Sequence, residues 1–300
     1  MTTVWQLKHS QLITCPDGTV LSIRRSAITA GGPTCLLIHG FGDGSHVWTH
    51  TVQSLDETCA IVTVDLRGHG ESAWSCSRDY TVKAHVNDLM HVIGELQLKD
   101  LILVGHSLGG QIAIHLTAAH PDRVRGLALL DFGPDINITG MLQARQMLRD
   151  SLRLYTSRDD YQTWLIRSQP LIVPAAAELL AATALRPCDD GFRLKIDPAL
   201  ADSEAHTHKD PREEKFLWQA LNDFFCPVLV VRGAGSAVLS RSVAAQMQRT
   251  IRNSTLHVIN GAGHAVMLDN PDQTSGIVSS FVTQLIASGG RLPGRAKIMT

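Results

Sequence analysis

Apolar residues gather in short runs at positions 35–38, 60–64, 101–104, 127–130 and 228–231, with a weaker sixth run at 256–259. Each run is near-continuous rather than alternating, which suits the strands of a parallel sheet covered on both faces. Between the runs, apolar positions recur at helical spacing over 46–56, 82–96, 108–119 and 242–250. This β-α alternation predicts an α/β fold, a doubly wound and mostly parallel sheet with right-handed crossovers. Ahead of it, the stretches 6–14 and 19–27, parted by Pro16-Asp17-Gly18, read as an antiparallel hairpin extending one sheet edge.

The alternation lapses between 133 and 225. There the pattern is helical over 141–155, 161–167 and 175–185, then polar through His206-Thr207-His208-Lys209-Asp210-Pro211. The expected organisation is a core formed by 1–132 and 226–288, a helical insertion at 133–225, and a frayed Gly-, Pro- and base-rich tail at 289–300.

Composition narrows the functional classes. Of 300 residues, 44% are hydrophobic and 18% are Asp, Glu, Lys or Arg, which supports a packed core rather than a disordered chain. Lys and Arg total 27 against 28 acidic residues, so there is no unbalanced field to hold nucleic acid or anionic lipid, and neither is expected as a partner. The longest mostly apolar stretch, 171–185, is broken by Pro174 and Glu178 and is too short to span a bilayer, and no signal-peptide pattern opens the chain. A soluble, cytoplasmic protein is expected. Six scattered cysteines without a C-x-x-C pair point to reduced, buried thiols.

The local chemistry centres on Gly105-His106-Ser107-Leu108-Gly109-Gly110, which follows one apolar run directly and precedes a helical stretch. A serine at such a strand-to-helix turn is pushed outward, and glycines two residues to either side relieve collisions with neighbouring backbone. The Leu108 N–H, at the helix start, is left to face a developing oxyanion. A second donor is expected from His39-Gly40-Phe41-Gly42-Asp43-Gly44, with Phe41 N–H the choice, although a flexible turn without ligand contact fits that segment equally well. A serine nucleophile needs a general base. His264, in Gly261-Ala262-Gly263-His264 after the last run, is the candidate among 14 histidines. His106 adjoins the serine and is expected to point away, and His69 is expected to structure its own loop. His206 and His208 could touch a metal, but two histidines in a polar stretch are usually solvated.

Taken in order, the His39-Gly40 turn, Asp65-Leu66-Arg67-Gly68-His69-Gly70-Glu71-Ser72, the Gly105 to Gly110 elbow and Gly261-Ala262-Gly263-His264 resemble the α/β-hydrolase superfamily of ester and C–C bond hydrolases. The similarity covers about residues 10–287 and implies that 133–225 is a helical cap over the site. It also implies a triad whose acid usually follows the strand at 228–231. Here that loop, 232–240, contains no carboxylate, and Ser236 and Ala237 stand at the usual positions. Asp131, at the end of the strand after the nucleophile's helix, is the expected substitute, as in some esterases of the family. Asp135 is the second choice, capping of a turn by Asp131 is a competing explanation, and a lost acid with a crippled site is a third.

The resemblance implies a serine hydrolase of a carboxylic ester, thioester or lactone, with Ser107, His264 and Asp131 as catalytic triad, Phe41 and Leu108 as oxyanion hole, and a small-molecule acyl substrate. Two alternatives stay open. One is a C–C bond hydrolase or lyase on the same triad, which Arg145, Arg149, Arg167 and Trp164 of the cap would permit; the other is a ligand-binding protein with little turnover. No metal or organic cofactor is implied.

Overall fold

In the computed structural model, which describes residues 9–26, 32–55, 58–135, 137–202 and 210–288, the apolar runs become a single twisted sheet. Its strands are β1 (His9–Thr14), β2 (Val20–Arg25), β3 (Thr34–Ile38), β4 (Ala60–Val64), β5 (Leu101–His106) and β6 (Val124–Leu130). A small separate hairpin, β7 (Leu185–Cys188) with β8 (Gly191–Leu194), comes next, and β9 (Val228–Gly233) and β10 (Ser254–Ile259) complete the large sheet. Its order is β1-β2-β4-β3-β5-β6-β9-β10; only β1/β2 and β2/β4 pair antiparallel. This is the α/β-hydrolase arrangement, with the expected antiparallel hairpin at one edge.

The near-continuous runs arise because both faces are covered. Alternate side chains of a strand point to opposite faces, so Cys35 and Leu37 of β3 join one apolar cluster while Leu36 and Ile38 join the other. Helices Thr49–Leu55 and Pro271–Ala287 cover the first face through Val52, Leu55, Val278 and Val282. On the second lie Val82–Glu95, Leu108–Ala119 and Arg241–Thr250. Burial of each such aliphatic side chain contributes about 1.5–3 kcal/mol.

The long stretch between β6 and β9 holds the helices Ile138–Ser151, Arg158–Ser168 and Pro174–Thr183 and the β7–β8 hairpin. The hairpin replaces the end of the helix expected over 175–185. Gly191 turns it at φ +143°, and a Cβ there would lie 2.3 Å from the Tyr155 carbonyl oxygen. The last helix of the stretch, Pro211–Asp223, behaves differently. Its Leu217, Ala220 and Leu221, at helical spacing, enter the core cluster on the second face, and its Glu213 accepts from Gln111 and His115 of the helix Leu108–Ala119. It is therefore a layer of the core. The tail at 289–300 and the pair His206 and His208 lie outside the described residues. Among the described residues no helix is long and apolar enough to cross a membrane.

The ends of β3, β5, β6, β9 and β10 lie side by side at one sheet edge, and what brings them together is backbone proximity around β5. A Cβ on Gly109 would stand 2.1 Å from the Ile38 carbonyl oxygen, and one on Gly105 2.3 Å from that of Gly109. Helix and strands meet backbone to backbone there. Gly109→Ala is expected to cost about 3 kcal/mol in strain and to lower the thermal midpoint by about 6–12 °C. An unchanged midpoint in differential scanning calorimetry would show that the contact has slack.

Candidate active site

Ser107 joins β5 to its helix with φ 52° and ψ −118°, a backbone conformation that non-glycine residues rarely adopt. Surroundings hold it there: its N–H donates to the Leu130 carbonyl, and its own carbonyl accepts from Gly110 and Gln111. The turn lifts the hydroxyl off the sheet edge. Leu108, first residue of the helix, has no acceptor for its N–H among the described residues, as helix geometry requires of a first-turn amide.

His264 follows β10 through a turn in which Gly261 has φ +72° and the Gly263 N–H donates to Asp269 at 2.8 Å. Burial pushes the Asp269 carboxyl up from the usual carboxylate range. The His264 ring lies between two of the sequence-predicted residues, with Nδ1 2.7 Å from Asp131 Oδ2 and Nε2 3.0 Å from Ser107 Oγ. A carboxylate can only accept, so Nδ1 carries the proton and the Nε2 lone pair faces the serine hydroxyl. The partner of Nδ1 is thus Asp131 and not a residue of the loop 232–240.

Asp131 itself is fully buried, at φ 47°. Besides His264 it accepts the Gly233 N–H at 3.0 Å and the Ser236 hydroxyl. The acid-free loop thus supplies donors to an acid on the neighbouring strand. Ser236 Oγ also accepts from Val238 and Leu239 N–H, both at 3.1 Å. Arg232, buried, ties the same loop by donating to the carbonyls of Leu239, Ala234 and Ser236. Sequence reasoning missed the parts played by Ser236 and Arg232. The serine at the usual acid position was the only available signal.

The profile of the alpha/beta hydrolase family matches residues 35–276. The chain belongs to that family. A 2-(acetamidomethylene)succinate hydrolase of Mesorhizobium japonicum is 28% identical over 252 residues, covering 84% of this chain and 88% of that one. An esterase of Mycobacterium tuberculosis is 28% identical over 250 residues, 82% of each chain. The crystal structure of E-2-(acetamidomethylene)succinate hydrolase superposes with a TM-score of 0.78 at 27% identity, covering 91% of this chain and 99% of that one. An α/β-hydrolase of Novosphingobium aromaticivorans reaches 0.83 at 21% identity, covering 92% and 98%, which shows the fold alone.

In this α/β-hydrolase, Ser107, Leu108, His264 and Phe41 line a cavity of about 370 Å³. Its wall is mostly apolar, with Phe132, Ile138 and Met141 among the contributors, and Arg145 is the buried charge in it. The Arg145 guanidinium donates to the carbonyls of Ala201 and Leu200. Trp164 lines a smaller neighbouring cavity of about 80 Å³. Arg149 and Arg167 are exposed and line neither. His106 packs against His264: its Nε2 donates to the His264 carbonyl at 3.0 Å, and the ring centroids are 4.7 Å apart. Among the described residues no three His, Cys, Asp or Glu side chains converge as a metal site. All six cysteines are free thiols, but Cys76 and Cys188 are exposed rather than buried, because both fall in surface turns and hairpin ends.

His39 and His69, beside the site, are fully buried, and burial lowers both, His69 to about 3. In the unfolded chain each titrates near the ordinary value of about 6.5. Below that pH the unfolded state binds protons that the fold refuses, so stability falls as pH drops toward the folded values. The limiting slope for two such groups is about 2.7 kcal/mol per pH unit. Urea unfolding at pH 7, 6 and 5 is expected to show this loss beginning near pH 6.5; a flat stability between pH 7 and 5 would mean that the two rings are protonated in the fold.

Proposed function

We propose that this chain is a serine hydrolase that cleaves a carboxylic ester, thioester or lactone of a small-molecule acyl substrate through an acyl-enzyme on Ser107. The carrying observation is the His264 imidazole held between Asp131 Oδ2 and Ser107 Oγ. Esters are the first class to try, because an esterase stands among the relatives that match over most of the chain.

Each residue has one task. Nε2 of His264 takes the hydroxyl proton as Ser107 Oγ attacks the substrate carbonyl carbon, and returns it to the leaving oxygen or sulfur as the tetrahedral intermediate collapses. Water then repeats the sequence on the acyl-enzyme, with His264 again as base. Asp131 holds the Nδ1–H tautomer and stabilises the imidazolium that forms; its burial makes that interaction stronger than in water. The N–H groups of Leu108 and Phe41 accept the oxyanion as hydrogen-bond donors. The mostly apolar wall of the cavity receives the acyl group.

A second reading uses the same triad on a C–C bond beside a carbonyl. Arg145 in the cavity wall supports it as the one buried cation there, with its guanidinium shared with the Ala201 and Leu200 carbonyls and with Asp210, Glu213 and Glu214 lining the same cavity.

The test is a p-nitrophenyl ester series of increasing acyl length, with Ser107→Ala and Asp131→Asn. Ser107→Ala should abolish turnover and leave the fold intact; retention of half the wild-type kcat would end the serine-hydrolase reading. Asp131→Asn should reduce kcat by about 10⁴, the loss seen for the equivalent change in a serine protease. Full activity in Asp131→Asn would remove Asp131 from the mechanism. A wild-type enzyme that labels at Ser107 with a fluorophosphonate yet hydrolyses no ester would favour the C–C reading.

A further inference from the structure

His39 and His69 are both fully buried, yet all four of their ring nitrogens have partners, and the partners are reciprocal. His39, at the end of β3, accepts the Leu66 N–H on Nε2 at 2.9 Å, reaching into the loop after β4. His69, in that loop, accepts the Gly42 N–H on Nε2 at 3.1 Å, reaching back into the loop after β3. A backbone N–H can only donate, so both Nε2 atoms carry lone pairs and both rings are protonated on Nδ1. Those protons go to the carbonyls of Gly40, 2.8 Å from His39, and Arg67, 2.9 Å from His69. The rings meet edge to face with centroids 5.1 Å apart. Desolvation, which lowers the basicity of both, suits a pair that works only when neutral.

The atoms gripped are those that matter for Phe41. The Gly40 oxygen and the Phe41 nitrogen belong to one peptide, and in a trans peptide C=O and N–H point in opposite directions. The hold of His39 on the oxygen therefore aims the Phe41 N–H. The next peptide joins Phe41 to Gly42, and its N–H is the one held by His69. Phe41 thus has both flanking peptide planes fixed, one by each imidazole. Gly42, at φ +81°, gives the turn its freedom, so without a clasp the second plane could rotate.

We propose that His69 is a positioning residue for the oxyanion hole: with His39 it forms a reciprocal imidazole clasp that holds the Phe41 N–H in its productive direction. The proposal rests on the serine-hydrolase reading, in which that N–H receives the oxyanion. His69 touches no substrate atom. Its effect passes through Gly42 to Phe41, and it should appear in the transition state rather than in substrate binding.

The experiment compares the wild type with His69→Leu, which removes the acceptor, and His69→Gln, whose amide oxygen can replace it. Active sites are first titrated with a fluorophosphonate, so that kcat is expressed per competent Ser107. On p-nitrophenyl butyrate, His69→Leu is expected to lower kcat by about 10- to 100-fold, less than the loss of a whole oxyanion donor, with KM changed less than about threefold. Its affinity for a trifluoromethyl ketone, which forms a tetrahedral oxyanion adduct on the serine, should fall by a similar factor. His69→Gln should recover most of both. Unchanged kcat per titrated site in His69→Leu would overturn the proposal, because a merely structural histidine alters the amount of folded protein and not its turnover. Should His69→Leu fail to fold, ¹⁵N-histidine NMR of the wild type decides: a neutral Nδ1–H tautomer at His69 supports the clasp, and a proton on Nε2 overturns it. A wild type that neither titrates nor hydrolyses the ester would instead refute the serine-hydrolase reading, and the catalytic role of the clasp with it; the NMR result would still report on the clasp itself.

Discussion

A carboxylate sealed from solvent must have its charge compensated by hydrogen bonds, and the site depends on how that requirement is met at Asp131. Its partners are the Gly233 N–H, the Ser236 hydroxyl and the His264 ring. Removing any one leaves part of a buried charge without a donor, which costs more than an ordinary hydrogen bond contributes. The demand reaches outward. Gly233 ends β9, Ser236 is presented by a loop that Arg232 ties together, and His264 depends on the turn after β10. A single side chain therefore ties together the segments that follow three neighbouring strands, and the orientation of His264 toward Ser107 follows from it.

The second constraint is steric. The elbow of Ser107 needs a helix start pressed against the backbone of β3, and the absence of Cβ atoms at Gly105 and Gly109 is what permits it. That same closeness brings the loop after β3 alongside the serine, so one packing contact sets both the Ser107 turn and the segment that faces it. The His39 and His69 rings then fix this loop to the one after β4. Strain at Ser107 and rigidity at Phe41 are two results of one crowded junction.

What could be read in the chain followed the range of the interactions involved. The core strands were legible because burial on both faces writes a continuous apolar run, and the elbow because its glycines answer to local backbone geometry. Helix Pro211–Asp223 was not assigned to the core: its apolar stripe is plain, but which surface receives it is decided by Gln111 and His115, about a hundred positions away. Helix Pro271–Ala287 carries a weak sequence signal, since its stripe of Val278, Val282 and Leu285 sits among several serines and threonines. Only Leu185 of the β7–β8 hairpin falls within the expected helix, because it continues an alanine- and leucine-rich stretch of high helix propensity, while the close approach of Gly191 to Tyr155 is a tertiary contact. The hydrogen bond from Ser236 to Asp131 spans 105 positions, and its one trace in the sequence is a serine where the family usually has its acid.

The position of the acid follows from sheet geometry. β6 and β9 are adjacent parallel strands, with Leu130 opposite Val231, so residues just past their ends project into the same space below the His264 ring. A carboxylate can enter that space from either strand and meet Nδ1 from nearly the same direction. The space holds two roles, one group that carries the charge and one that donates to it. Here β6 provides the charge through Asp131, and the loop after β9 provides the donor through Ser236. A loop without a carboxylate is therefore not an empty position in the site. It supplies donors to the buried carboxylate, the Gly233 N–H at its start and the Ser236 hydroxyl, and that carboxylate fixes the tautomer of His264.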